Sequence, residues 1–122
     1  MRRYIFKPYS QIFPQLFTQE KSRLASQIQA ALTIEHVGST AVPNLGGKGI
    51  IDIALSVSKD DMVAVQPQLQ ALGYELRQAG STSDRLLYQT NLPDPEEGNR
   101  CYQVHLTHPD SKDWAWFNSY KI

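Results

Sequence analysis

The stretch Ile34-Glu35-His36-Val37-Gly38-Ser39-Thr40-Ala41-Val42-Pro43, followed by Lys48-Gly49-Ile50-Ile51-Asp52-Ile53, constrains this chain more than any other. It reads as a strand, a Gly-Ser turn, a glycine-rich connection and a second strand carrying one carboxylate. Backbone amides at a Gly-Ser turn suit phosphate oxygens, and a carboxylate on the next strand suits a metal bound to those phosphates. The layout points to a nucleotide-handling site. It also sets a difficulty, because metal-assisted phosphoryl chemistry generally draws on more than one carboxylate.

The surrounding sequence supplies a frame for this segment. From Ser10 to Leu32 the residues Ile12, Phe13, Leu16, Phe17, Leu24, Ile28, Ala31 and Leu32 recur at helical spacing, with Ser10 as a cap and Pro14 in the first turn. Thr33 to Val37 is a short strand. Ile50 to Val57 is a second, central strand, with Ile51, Ile53, Leu55 and Val57 on one face and the smaller, more polar Ile50, Asp52, Ala54 and Ser56 on the other. Asp60 to Leu72 is a helix closed by Gly73 and interrupted or begun at Pro67. Tyr74–Gln78, Asp84–Asn91 and Arg100–His108 are three more strands. The loop of Pro93, Asp94, Pro95, Glu96, Glu97 and Gly98 joins the last two as a hairpin with a long, mobile tip. Ser111 to Ile122 opens a last helix with Trp114, Phe117 and Tyr120 as packing residues. The order α-β-β-α-β-β-β-α specifies an α+β, two-layer fold with helices on one face of a mixed sheet.

Composition narrows the function. The 122 residues suit one domain spanning 1–122, and 41% hydrophobic residues can build a core. Twelve basic and twelve acidic residues give a net charge of +0, which argues against a general nucleic-acid binder. No run approaches the ~18 apolar residues of a membrane span. Met1-Arg2-Arg3-Tyr4 lacks the apolar stretch of a secretory leader, so a cytoplasmic location is expected. Cys101 is the single cysteine, which excludes an internal disulfide.

Several side chains are candidates for chemistry, each against a plainer alternative. Asp52 lies in an otherwise apolar strand, where a carboxylate needs a metal, a cationic partner or an edge position. Gly38 and Ser39 form a phosphate-binding turn or simply a turn. Lys48, among Gly46, Gly47 and Gly49, presents an ammonium to phosphate or sits in a surface loop; its spacing is not that of a P-loop. Glu20 shares the stripe of Ile12, Leu16, Leu24 and Ile28, so it either reaches a partner or lies at the stripe's margin. Alternation sets Cys101, Gln103, His105 and Thr107 on one strand face. His36, Asp52 and His105 could therefore gather as ligands or as an acid–base group, or each histidine could be merely hydrogen-bonded. No cysteine cluster or H-x-x-x-H pair suggests structural zinc, and Ser39 has no nucleophile-elbow setting.

These segments together resemble the GrpB-like proteins, a family of the nucleotidyltransferase superfamily. The likeness rests on Tyr9 to Glu20, with Phe13-Pro14, Phe17 and Glu20. It rests also on Ile34 to Pro43 with Lys48 and Ile50-Ile51-Asp52-Ile53, and on Leu72-Gly73-Tyr74, Arg100 and Val104-His105-Leu106. The resemblance implies a nucleotidyltransferase-like fold. Gly38, Ser39 and Thr40 would then hold the phosphates of a nucleotide or another phosphorylated small molecule, and Asp52 would be the first ligand of a divalent metal, Mg²⁺ being the candidate. The pattern departs at the second acidic position, which is Ala54, and on the later strand, which offers Gln103 and His105. Glu20 or Glu35 are the carboxylates left to substitute. Nucleotidyl transfer and a non-catalytic binding or regulatory module both remain open, as does a different metal enzyme using His36, Asp52 and His105. Phe117-Asn118-Ser119-Tyr120 stands where the resemblance implies a helix with Phe-Arg-Asp-Tyr and then a further helix, so a domain short at its C-terminus is expected, as a natural short form or a truncated product, with an exposed apolar face that would favour a homodimer.

Overall fold

The helical spacing between Ser10 and Leu32 condenses into a shorter helix, α1 (Phe13–Gln27), in a computed structural model that describes residues 7–119. The expectations for Met1 to Tyr4, Tyr120 and Ile122 lie outside the described residues. Pro14 stands in the first turn of α1, where its missing N–H leaves no intrahelical bond unmade. Ser10 is not the cap. Ile12 takes that position without a side-chain bond, while the Ser10 hydroxyl accepts from the Ile12 N–H at 3.3 Å and donates to Glu96 at 3.0 Å. At the other end Ile28 turns extended (φ −86°, ψ 121°) and puts its side chain in the core.

The remaining elements are β1 (Leu32–Val37), β2 (Ile51–Val57), α2 (Met62–Ala71), β3 (Glu75–Arg77), β4 (Leu86–Pro93), β5 (Asn99–Thr107) and α3 (Lys112–Ser119). The five strands form one sheet in the order β1-β2-β5-β4-β3. All neighbours are antiparallel except β2 and β5, which run parallel. The chain is thus an α+β fold with a mixed sheet, as the sequence indicates.

Period-two burial explains the sheet's central position. Ile51, Ile53 and Leu55 are fully buried on one face of β2, beside Tyr102, Val104 and Leu106 of β5. Leu16 and Leu24 of α1 and Met62, Val65 and Leu69 of α2 pack over them in one cluster. Each such side chain taken from water contributes roughly 1.5–3 kcal/mol. A 3₁₀ turn at Lys59–Asp61 precedes α2, so that helix starts later than the expected Asp60. Gly73 (φ +99°) closes it as expected. The Tyr74 N–H reaches the Leu69 carbonyl at 3.1 Å and the Gly73 N–H reaches Gln70 at 3.0 Å, the paired bonds of a Schellman ending.

The two-layer arrangement holds for α1 and α2 and has one addition. Phe117 of α3 packs on Val37 and Ala54, on the face of the sheet opposite the main core. Ser111 starts α3, its hydroxyl accepting from the Trp114 N–H at 3.0 Å. The loop between β4 and β5 is also not the free tip expected. Asp94 accepts from the Glu96 and Glu97 amides, both at 2.9 Å, and its carboxylate is pinned by Arg100.

Candidate functional site

The strand register decides which candidates share a face. Val37 pairs with Asp52 across β1–β2, and Asp52 with Gln103 across β2–β5. One step along, Glu35, Ala54 and His105 form the adjacent row. Asp52, Glu35, Gln103 and His105 therefore belong to the face away from the main core, as alternation implies for three of them. His105 Nε2 lies 3.3 Å from Asp52 Oδ1 and donates to it, and its Nδ1 is buried without a partner among the described residues. Its ring packs against Phe117 at 5.2 Å.

His36 does not join them. It pairs with Ile53, one residue out of phase with Asp52, and so faces α1. There its ring stacks on Phe17, with centroids 4.7 Å apart and planes 8° from parallel. Burial pushes this imidazole down to about 4, against the nearby Asp52 charge, so it is neutral at ordinary pH. The Thr40 hydroxyl donates to the Ile50 carbonyl at 3.1 Å, which leaves its oxygen to accept from His36 Nε2 at 2.9 Å. His36 and Thr40 thus fasten the Gly-Ser turn to the strand that follows. Thr40 is fully buried and its hydroxyl is spent on this task.

Gly38 and Ser39 are placed differently. Gly38 has φ +77°, and a Cβ there would come within 2.6 Å of Asp52 Oδ2. Glycine is needed both for the left-handed conformation and for the close approach. Ser39 begins a short 3₁₀ turn, Ser39–Ala41. Its hydroxyl makes no hydrogen bond among the described residues, and Gly47 backs it so closely that a Cβ on Gly47 would lie 2.6 Å from the Ser39 Oγ. Lys48 follows in the same loop with an exposed side chain.

That loop is held from behind by Arg100, a residue with no expected role in the site. Its Nη1 donates to the Gly49 carbonyl at 2.8 Å, its Nε and Nη2 bind Asp94 at 2.7 and 3.0 Å, and its guanidinium lies over the Phe13 ring. The Arg100 and Asp94 side chains are 2% and 0% exposed, so this is a buried, two-pronged ion pair. Burial alone would raise the Asp94 carboxyl. Hydrogen bonds from Arg100 and from the Glu96 and Glu97 amides outweigh it and hold the group below the usual carboxylate range. Lys7 adds a second tie, pairing its backbone with Gly47 and its ammonium with Glu97. The readable signal was Asp94-Pro95-Glu96-Glu97 within a hairpin turn, a few residues before a strand arginine.

Glu20 belongs to neither arrangement. It is buried on the α1 stripe, accepts two bonds from Arg23 at 2.7 and 2.8 Å, and accepts a third from the Tyr74 hydroxyl at 2.6 Å. Burial and the adjacent Glu20 carboxylate push the Tyr74 phenol well up, fixing it as a donor. Glu20 lies on the core side and does not supplement Asp52. Among the described residues, no group of three or more His, Cys, Asp or Glu side chains is close enough to hold a metal ion. Asp52 also shares one oxygen with His105, and Ala54 beside it is fully buried in contact with Phe117. This donor set does not fit a two-metal centre, which needs several carboxylate oxygens around hard cations.

The sequence matches the GrpB protein family over residues 4–119. The chain belongs to the GrpB family. Among curated relatives, the UPF0157 protein BH1888 of Halalkalibacterium halodurans is 45% identical over 71 residues, covering 57% of this chain and 36% of its own length. The UPF0157 protein PA4798 of Pseudomonas aeruginosa is 35% identical over 102 residues, covering 81% of this chain and 41% of its own. The crystal structure of the conserved protein GrpB from Enterococcus faecalis superposes with a TM-score of 0.72 at 26% identity, over 89% of this chain and 64% of that one. This GrpB chain therefore spans about two-fifths of the length of these curated relatives. Among the described residues, no helix is long and apolar enough to cross a membrane.

Proposed function

We propose that this chain binds a phosphorylated small molecule, a nucleoside triphosphate in its expected form, on the open sheet face beside the Gly38-Ser39 turn. In this reading the fold is nucleotidyltransferase-like. The observation that carries it is the contact of turn and carboxylate: the Gly38 backbone packs directly on Asp52, with no room for a side chain between them. The Ser39 hydroxyl and turn amides would meet phosphate oxygens, and Lys48 would add a point charge from the neighbouring loop. Asp52 would touch a Mg²⁺ carried by the phosphates themselves, an ion that commonly keeps its waters and takes one or two protein carboxylates.

Whether transfer chemistry follows is a separate matter, and one observation favours a binding or regulatory role. The position next to Asp52 on the same face is Ala54, fully buried in contact with Phe117. A second carboxylate at position 54 would be desolvated, which argues against the metal centre of an active transferase built on β2. Titration calorimetry with ATP, with and without Mg²⁺, tests the binding reading. Ser39→Ala is expected to weaken binding several-fold in both conditions, and Asp52→Asn only when Mg²⁺ is present. Identical heats for the wild type and both folded variants would reject the site.

A further inference from the structure

We infer that the paired amides of Gln103 and Gln89 recognise the neutral, hydrogen-bonding ring of the bound ligand, a nucleobase or comparable heterocyclic amide; this rests on the phosphate-binding reading above. Asp52, Gln103 and Gln89 lie side by side on three adjacent strands, paired Asp52 with Gln103 and Gln103 with Gln89. Two strand spacings, ~10 Å, separate the first from the last. The row leads away from the phosphate turn at Gly38, which abuts Asp52. Of α3, Phe117 covers Val37 and Ala54 and meets the His105 ring in the neighbouring row, and Asp113 pairs with Arg85 just ahead of β4 at 3.4 Å. The Gln103–Gln89 row lies beyond these contacts along β5 and β4, and both glutamines are half-buried there.

The chemistry of the pair is specific. Gln103 Nε2 donates to Gln89 Oε1 at 3.3 Å, and neither amide makes another side-chain hydrogen bond among the described residues. Each primary amide has two donors and one acceptor. The bond uses one donor of Gln103 and engages the acceptor of Gln89. Gln103 Oε1 and the Gln89 amide hydrogens remain, an acceptor and donors pre-oriented side by side on a rigid sheet. That is the complement of a donor–acceptor ring edge and carries no net charge. It would neither attract further phosphate nor hold a metal. The half-buried Leu87, paired with His105 in the next row, offers apolar surface beside the amides.

The test compares ATP, GTP, CTP and inorganic tripolyphosphate, each with Mg²⁺, on the wild type, Gln103→Leu and Gln89→Leu. At least one nucleotide is expected to bind the wild type about 10-fold more tightly than tripolyphosphate, the size of one or two neutral hydrogen bonds. Either leucine variant is expected to erase that preference while keeping tripolyphosphate affinity within about twofold, which also certifies its fold. If tripolyphosphate and every nucleotide bind the wild type equally, the base-recognition inference is overturned and the phosphate site stands. Retention of the nucleotide preference in a variant that still binds tripolyphosphate overturns it too. No binding of any of the four by the wild type overturns both readings.

Discussion

His36 illustrates how one residue's surroundings outvote its neighbours in sequence. It adjoins the signature turn and is a natural candidate ligand, yet the β1 pleat sends it to the Phe17 side, where it serves as a neutral donor to Thr40. The acid response of the protein follows. A histidine held at about 4 when folded and near 6.5 when unfolded binds its proton in the unfolded chain first. Stability is therefore full above pH ~6.5 and falls as pH drops toward 4, by roughly 2–3 kcal/mol. Asp94, held below the ordinary carboxylate range, acts only at still lower pH. Urea melts of the wild type and His36→Gln at pH 7 and pH 4.5 measure this. The wild type is expected to lose clearly more stability between the two than the variant; equal losses would show that His36 is not the titrating group.

At the level of elements, the signature loop depends on a brace it does not contain. Arg100 on β5 ties Gly49 to Asp94, and Lys7 ties Gly47 to Glu97. Removing one partner of a buried ion pair strands the other charge. Asp94→Asn is accordingly expected to cost about 3–5 kcal/mol in chemical denaturation, far more than neutralising the exposed Glu96. Equal effects of the two would remove Arg100–Asp94 from its place as the loop's anchor. This brace also marks where sequence reading stops. The alternation of β2 and β5 is legible because burial on one sheet face imposes period two, and Gly73 is legible because a helix end favours a glycine at positive φ. Ser10 misleads because a residue far along the chain, Glu96, recruits its hydroxyl. Glu20 resists reading for the same reason: Arg23 is local, but Tyr74 arrives from the connection between α2 and β3.

Across the whole molecule, the sheet has an apolar face closed by α1 and α2 and a polar face only partly crossed by α3. Alternation groups Gln103 with His105 on β5 and sets Asp52 on the polar face of β2, while their meeting rests on the β2–β5 register. That His36 lies elsewhere likewise depends on the register between β1 and β2. The polar face competes with a concavity elsewhere on the molecule. A groove of about 380 Å³ lies on the core side between α1 and the β4–β5 loop, with Leu16, Glu20, Arg23 and Tyr102 in its wall. The two locations are resolved by one measurement, a titration of ¹⁵N-labelled protein with Mg²⁺-tripolyphosphate followed by amide chemical shifts. Saturable shifts centred on Gly38, Ser39, Lys48 and Asp52 are expected. Shifts centred instead on Glu20, Arg23 and Tyr102, or no saturable shifts at all, would contradict a phosphate site at the Gly-Ser turn.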